Sequence, residues 1–321
     1  MLNIKEFNLD MEDALDEEAS EGFCTKWKKR VSVQGQPKTI WIKASGFIWG
    51  GYEHESLGEV VASQVAADLQ IRDVVQYKPC ILNITEKNGR RRRTLGCYSY
   101  DFTQQDEEVV SILNLYNGLC YGTLDYDEII NDVCSDTGLE KSLFRDYIDR
   151  IILLDAIILN EDRRTGNLAV IKNTVTGKYR ICPIFDNGAS FGLARCGYSL
   201  DGIYSDIMVT GMNCQPFKSL YDEQMELTRY HTDKEGYKEL ISKQKLNINR
   251  TVAFVNALYE MIGYEYDERW TIDKKRQVQQ LRQRIGKVDE PIIIAERNYI
   301  ISQLKRRIEV VIGQKEVDYT K

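Results

Sequence analysis

Residues 151–159 (Ile-Ile-Leu-Leu-Asp-Ala-Ile-Ile-Leu) form an apolar run broken by a single carboxylate. The chain then becomes densely polar at Asn160-Glu161-Asp162-Arg163-Arg164-Thr165-Gly166-Asn167. Such a run has to be buried, so it constrains the fold. It delivers a charged loop from the core to a surface, as a rigid scaffold delivers functional groups. Leu168–Lys172 and Lys178–Cys182, joined by Asn173–Gly177, predict a β-hairpin that brings the chain back to the loop it has just left. Pro183-Ile184-Phe185 re-enters the core immediately ahead of Asp186-Asn187-Gly188. Carboxylates and carboxamides this close to apolar sequence are costly unless a cation pairs with them. Asp162 and Asn167 stand at the two ends of one tight loop, and the hairpin returns Asp186 beside Asn167. That pattern suits phosphoryl transfer: Asp162 accepts a proton from, or orients, an attacking hydroxyl, while Asn167 and Asp186 offer oxygens to Mg²⁺.

Leu154–Asn167 and Pro183–Phe191 together resemble the HipA-like serine/threonine kinases. That family's catalytic loop reads Asn-x-Asp-x-His-x-x-Asn, and its magnesium motif resembles Pro-x-Phe-Asp-Asn-Gly. Both elements occur here in the right order, with one departure: Arg164 stands where the family usually has His. Arginine donates hydrogen bonds but cannot accept them, so a local rearrangement is expected there. The resemblance is tight over 151–191 and looser over the rest of 20–230.

Upstream, Thr25–Ala44 reads as two strands with a turn marked by Gly35 and Pro37. The second strand, Thr39-Ile40-Trp41-Ile42-Lys43, alternates and is rich in β-branched and aromatic residues. Ser56–Leu69 predicts a helix with Leu57, Val60, Val61, Val65 and Leu69 on one face. The resemblance implies that Lys43 contacts nucleotide phosphates and that Glu59 of this helix holds the lysine, with Glu55 as the rival acid in the first turn. It also implies a phosphate-covering turn in Ser20–Lys26, with Gly22 permitting close backbone approach and Lys26 as its basic residue. No Walker loop is present. Strands at Lys78–Thr85 and Thr94–Tyr100 flank an Asn88-Gly89 turn. The pattern then becomes helical, with helices expected at Glu107–Asn117, Asp125–Asp136, Glu140–Leu159 and Asp222–Tyr230. Others are expected at Asn247–Met261, Asp273–Ile285 and Pro291–Gly313. The switch from strand to helix marks a hinge where backbone groups of Tyr100, Asp101 and Phe102 are expected to bind adenine. The predicted fold is therefore α+β and bilobal, kinase-like, with a β-rich N-lobe at 1–102 and a mainly helical C-lobe at 103–321.

Composition removes other classes. The 321 residues carry a formal charge of −6, without the basic surface that nucleic acid requires. The basic run Arg90–Arg93 follows a hairpin turn and reads as a solvated arm, or as a docking patch for an acidic partner. Eight scattered cysteines without a C-x-x-C pair read as reduced thiols, and two histidines do not supply zinc-ligand spacing. Neither a signal peptide nor an apolar stretch of roughly 20 residues is evident, so a cytoplasmic protein with no membrane partner is expected. Taken with the resemblance, the expected activity is ATP- and Mg-dependent transfer to Ser or Thr of a protein substrate. An antitoxin partner is not implied, because the chain begins almost at the kinase core. The alternatives are a pseudokinase that uses the pocket as a nucleotide-binding switch, a lipid or small-molecule kinase of related fold, and a metal-dependent hydrolase built on Asp155, Asp162 and Asp186.

Overall fold

The computed structural model describes residues 4–15, 25–44, 47–48, 51–52, 55–116, 126–158, 160, 163, 165–191, 213–214, 219–220, 248–268, 297–298, 300–305 and 308. Five strands form one mixed sheet: β1 (Lys5–Asp10), β2 (Lys26–Val33), β3 (Gln36–Ala44), β6 (Lys78–Thr85) and β7 (Arg91–Tyr100). The strand order is β1-β6-β7-β3-β2, and β1 runs parallel to β6 while the other pairs are antiparallel. Two-residue strands β4 (Phe47–Ile48) and β5 (Gly51–Tyr52) pair with each other after β3. The β2–β3 turn is tighter than the sequence suggests. Gln34 and Gly35 take φ of 52° and 78°, and Pro37 lies inside β3 opposite Ser32. Two successive left-handed residues are what a two-residue hairpin between right-twisted strands requires.

Alternation along β3 divides the sheet into two faces. Ile40, Ile42 and Ala44 point to one side, where they pack with Leu9, Trp27, Cys80, Leu82, Ile84 and Tyr98. The opposite face carries Trp41 and Lys43, whose cross-strand partners are Lys28 and Lys26 on β2 and Ser99 and Cys97 on β7. Directly opposed residues of an antiparallel pair share a face, so these six side chains look the same way. Helix α1 (Glu55–Asp68) crosses this second face and packs against β6, β7, α4 (Lys141–Ile158) and α5 (Ile248–Glu268). Its Leu57, Val60, Val61 and Val65 join Ile129, Ile130, Phe144, Ile148, Ile151 and Leu154 of the α3 (Tyr126–Thr137) and α4 helices in one continuous core. Val255 and Leu258 of α5, with Ile300 and Leu304 of the helical residues 300–305, extend it.

A second sheet of three antiparallel strands, in the order β10-β9-β8, carries the hairpin. β9 (Ala169–Asn173) and β10 (Tyr179–Ile181) form as expected from the sequence, but β8 (Glu107–Ser111) does not. Glu107–Ser111 reads as the start of a helix, yet Val109 and Val110 pair with Ile171 and Val170 of β9. β-Branched side chains facing a ready-made strand edge override the local helical pattern. The helix starts only at α2 (Ile112–Leu115), where Ser111 Oγ accepts from Asn114 N–H at 3.1 Å and caps it. The helices expected at Asp222–Tyr230 and Asp273–Ile285 lie outside the described residues. Cys80, Cys97, Cys134 and Cys182 are all buried, and burial pushes the Cys182 thiol up to about 12. Among the described residues no helix is long and apolar enough to cross a membrane.

Candidate functional site

The site lies where the second face of the sheet, helix α1 and the segment after β10 meet. Lys43 Nζ donates to Glu59 Oε1 at 2.5 Å and to Asp186 Oδ1 at 2.6 Å, residues 143 positions apart in the second case. The lysine side chain is 13% exposed and Glu59 1%, whereas Asp186 keeps 28%. Burial alone favours a neutral lysine, but the carboxylates of Asp186 and Glu59 outweigh it and hold the ammonium charged, with a pKa well above the usual range. Burial is also the largest influence on Asp186. Lys43, then Lys26, more than offsets it and brings Asp186 down to about 2. Glu59 goes the other way: its burial outweighs the help from Lys43, and its pKa is raised. Of the two acids in the first turns of α1, it is thus Glu59 and not Glu55 that reaches the lysine.

Glu59 also reaches across to the chain after Asp186, where its Oε2 accepts from Asn187 N–H at 2.8 Å. The helix can come this close because both contact points are glycines. A Cβ on Gly58 would lie 2.3 Å from Gly188 O, and one on Gly188 would lie 3.0 Å from Glu55 O. Ser63, one turn further along α1, donates to Glu59 O or Val75 O and accepts from Tyr77 N–H at 2.9 Å, tying the helix to the strand that follows it. Asp186 itself has a left-handed backbone, φ 58°. That conformation is uncommon for a residue with a side chain and persists only where the surroundings impose it.

Beneath this cluster lies a second one that sequence reading passed over. Arg163 is wholly buried, and its guanidinium spends all five donors inside the protein. Nε and Nη2 grip Asp155 of α4 at 2.9 Å and 3.0 Å, and Nη2 also reaches Asn187 Oδ1 at 2.5 Å. Nη1 donates to Asn167 O at 3.0 Å and to Phe185 O at 2.7 Å. One nitrogen therefore joins the backbones of Asn167 and of the residue before Asp186. The carboxylate of Asp155 further accepts from Asn160 Nδ2 at 3.0 Å. The available signal was Asp155 itself, a carboxylate inside an apolar helix that had to find a cation nearby.

The remaining candidates fall as follows. Lys26 sits directly opposite Lys43 on β2 and is among the charges that lower Asp186. Gly22 and Asp162 lie outside the described residues, as does Arg164. Tyr100 packs its ring on the other face of the sheet beside Tyr98, so only its backbone could line the cleft. Asp101 N–H is already committed to Thr39 O at 3.0 Å, and its carboxylate accepts from Thr103 and pairs with Lys28 at 3.1 Å. Phe102 O accepts from Arg180 Nη2 at 3.0 Å, and its ring stands 6.3 Å from that of Phe185. Trp41, not singled out from the sequence, shares the face of Lys43, and Lys28 lies over its ring at 4.7 Å. Trp41 stands opposite Ser99, one step from the Ile40–Tyr100 pair that ends the β3–β7 ladder, and the face it shares with Lys43 was available from strand alternation.

No family model matches the sequence, and no curated protein does. Among solved structures, the Helicobacter pylori proinflammatory kinase CtkA matches with a TM-score of 0.63 at 15% identity, over 97% of each chain. The fold is kinase-like. The Golgi casein kinase is also similar, at 11% identity over 97% of this chain and 73% of that one, with a TM-score of 0.39. Its Mn/ADP-bound form gives 11% identity and a TM-score of 0.38.

Asn167 carries an amide and Asp186 a partly exposed carboxylate, and the backbone oxygens Asn167 O and Phe185 O meet at Arg163 Nη1; among the described residues no group of three His, Cys, Asp or Glu side chains could hold a metal. An all-oxygen pair of this kind fits Mg²⁺ or Mn²⁺ that retains waters and takes its other ligands from phosphates. It does not fit a thiolate- or imidazole-bound metal.

Proposed function

We propose that this protein is an ATP-dependent phosphotransferase, a HipA-like kinase that acts on Ser or Thr of a protein substrate. The observation that carries the reading is the Lys43 ammonium, held at 2.5 Å and 2.6 Å between Glu59 and Asp186 on a kinase-like fold. An ammonium has three donors, and two are taken, which leaves one for a phosphate oxygen. Glu59 keeps the lysine from collapsing onto Asp186 alone, so positive charge stays where phosphate charge has to be neutralised. Asp186 and Asn167 are the residues that would hold Mg²⁺, which when bound neutralises phosphate charge. Asp162, at the head of the loop that Arg163 anchors, is assigned to accept or orient the substrate hydroxyl. Backbone groups at Tyr100–Phe102 and the indole of Trp41 border the space for the base. The pinned Asp101 side chain and Phe102 carbonyl make that edge rigid before any ligand arrives.

The test is transfer of labelled γ-phosphate from ATP with Mg²⁺ to a generic protein acceptor or to the chain itself, for wild type, Asp162→Asn and Lys43→Met. Label on Ser or Thr that falls by about 10²-fold or more in both variants supports the reading. Transfer that survives Asp162→Asn, or label confined to a lipid, overturns it. Stabilisation by nucleotide with no transfer to any acceptor would instead favour the nucleotide-binding switch.

A further inference from the structure

We propose that Arg163 is a positioning residue for Asp186: it fixes the peptide group ahead of that aspartate while Glu59 fixes the one behind it, and so sets the site's affinity for a divalent cation. The inference rests on the phosphoryl-transfer reading above.

Asp186 has φ 58°, a conformation that is uncommon for a residue other than glycine and persists only where its surroundings impose it. Because peptide units are planar, φ and ψ of a residue are the rotations between the two planes that flank it. Both planes are held here. Phe185 O accepts from Arg163 Nη1 at 2.7 Å, and Asn187 N–H donates to Glu59 Oε2 at 2.8 Å. The plane before Asp186 is thus referenced to α4 through Asp155, and the plane after it to α1. Upstream, Ile184 N–H and O are bonded to Asp73 O and Val75 N–H at 2.6 Å and 2.8 Å, so the approach to Phe185 is also anchored. Only the Asp186 side chain is left to choose its direction, and the left-handed backbone aims it at Lys43. The same Nη1 atom holds Asn167 O at 3.0 Å, so the two proposed metal ligands take their relative placement from one guanidinium.

The guanidinium cannot itself contact a ligand, since it is wholly buried and its five donors are committed. A lysine supplies charge but neither the planar fork nor enough donors to span Asp155, Phe185, Asn167 and Asn187. Arg163→Lys therefore keeps Asp155 neutralised while releasing the peptide before Asp186. Altering a group that orients a metal ligand typically lowers metal affinity 10–100-fold.

The experiment titrates Mn²⁺ into wild type and Arg163→Lys at saturating ADP, with free Mn²⁺ followed by electron paramagnetic resonance. In parallel, ATP binding without metal is measured by calorimetry and the metal dependence of γ-phosphate transfer is recorded. The expected result is a Mn²⁺ dissociation constant raised at least about tenfold, metal-free ATP affinity changed by less than about twofold, and most of the transfer rate recovered at saturating Mn²⁺. An unchanged Mn²⁺ constant in folded Arg163→Lys overturns the inference and leaves Arg163 as a fold-stabilising residue only. If that variant does not fold, Asp155→Asn, which keeps the arginine but leaves it one acceptor short, is titrated instead. A smaller shift in the same direction supports the inference, and none overturns it. Wild type that binds neither ADP nor Mn²⁺ overturns the phosphotransferase reading and the inference with it, an outcome distinct from either variant result.

Discussion

Two ionic clusters meet at the Asp186 segment, and they are built on opposite plans. The Lys43–Glu59–Asp186 cluster is open on one side, with 13% of the lysine and 28% of the aspartate side chain exposed. The Arg163–Asp155 cluster is sealed, at 0% and 1%. A lysine serves the open cluster because an ammonium on a flexible stem can exchange one partner for another. An arginine serves the sealed one because a planar fork with five donors can satisfy a carboxylate and three backbone or amide oxygens at once. The difference teaches a division of labour. On the proposed phosphotransferase reading, charge that must respond to a ligand is left partly solvated, and charge that must hold geometry is buried and saturated.

The largest effect that could break this comparison is on folding. Asp155→Ala leaves the buried Arg163 without its counter-ion and should cost about 3–5 kcal/mol, read as the loss of unfolding free energy in urea. A loss under 1 kcal/mol would mean the sealed cluster is not sealed in solution. Next is the glycine contact. Gly58→Ala puts a methyl 2.3 Å from Gly188 O, so α1 must shift, at a cost of about 1–3 kcal/mol. Nucleotide binding should fall with it, because Glu59 rides on the same helix turn; calorimetry on the folded variant checks this.

Lys43→Met sharpens the contrast from the open side. It should cost less stability than Asp155→Ala yet abolish the rise in melting temperature with ATP and Mg²⁺. That rise corresponds to about 2.7 kcal/mol at ligand concentrations 100 times the dissociation constant. If Lys43→Met unfolded the protein while Asp155→Ala did not, the assignment of roles would be reversed. The smallest effect concerns Glu107, whose bonds to Arg180 at 2.6 Å and 2.8 Å lower its pKa to about 2. A depressed carboxylate contributes stability that is present above its unfolded value of 4.5 and is lost as the pH falls towards 2. Glu107→Gln should therefore flatten the stability profile between those values, lowering stability at neutral pH and changing little near pH 2. Acid unfolding curves of the two proteins would show it.

Much of the fold was legible because its signals are local. The strand at Lys78–Thr85 has the bounds expected of it, and α1, α3 and α4 begin and end within a residue or so of their periodic patterns. The hairpin after the charged loop followed from its turn residues, whereas Lys43 was picked out by the family resemblance on an alternating strand. What stayed hidden depended on contacts distant in sequence. Glu107–Ser111 became a strand because an edge of β9 was there to receive Val109 and Val110. Arg164 drew attention in the loop, while its neighbour Arg163 holds the backbone together, since one residue step in a loop decides burial and no periodicity reports it.

The sequence by itself determined which chemical groups are present and in what order. An apolar helix leads to a loop with Asp162 and Asn167, then to a hairpin, then to Asp186, with a lysine-bearing strand and an acidic helix turn upstream. Those features rest on side-chain periodicity and turn chemistry, which act over a few residues. Only the tertiary structure decided that Glu59 rather than Glu55 takes the lysine, that Gly58 and Gly188 meet, and that Asp186 is turned left-handed between two anchored peptides. Each of these requires elements far apart in the chain to close on one another. An uncommon backbone conformation of this kind survives only when that closure supplies more than it costs.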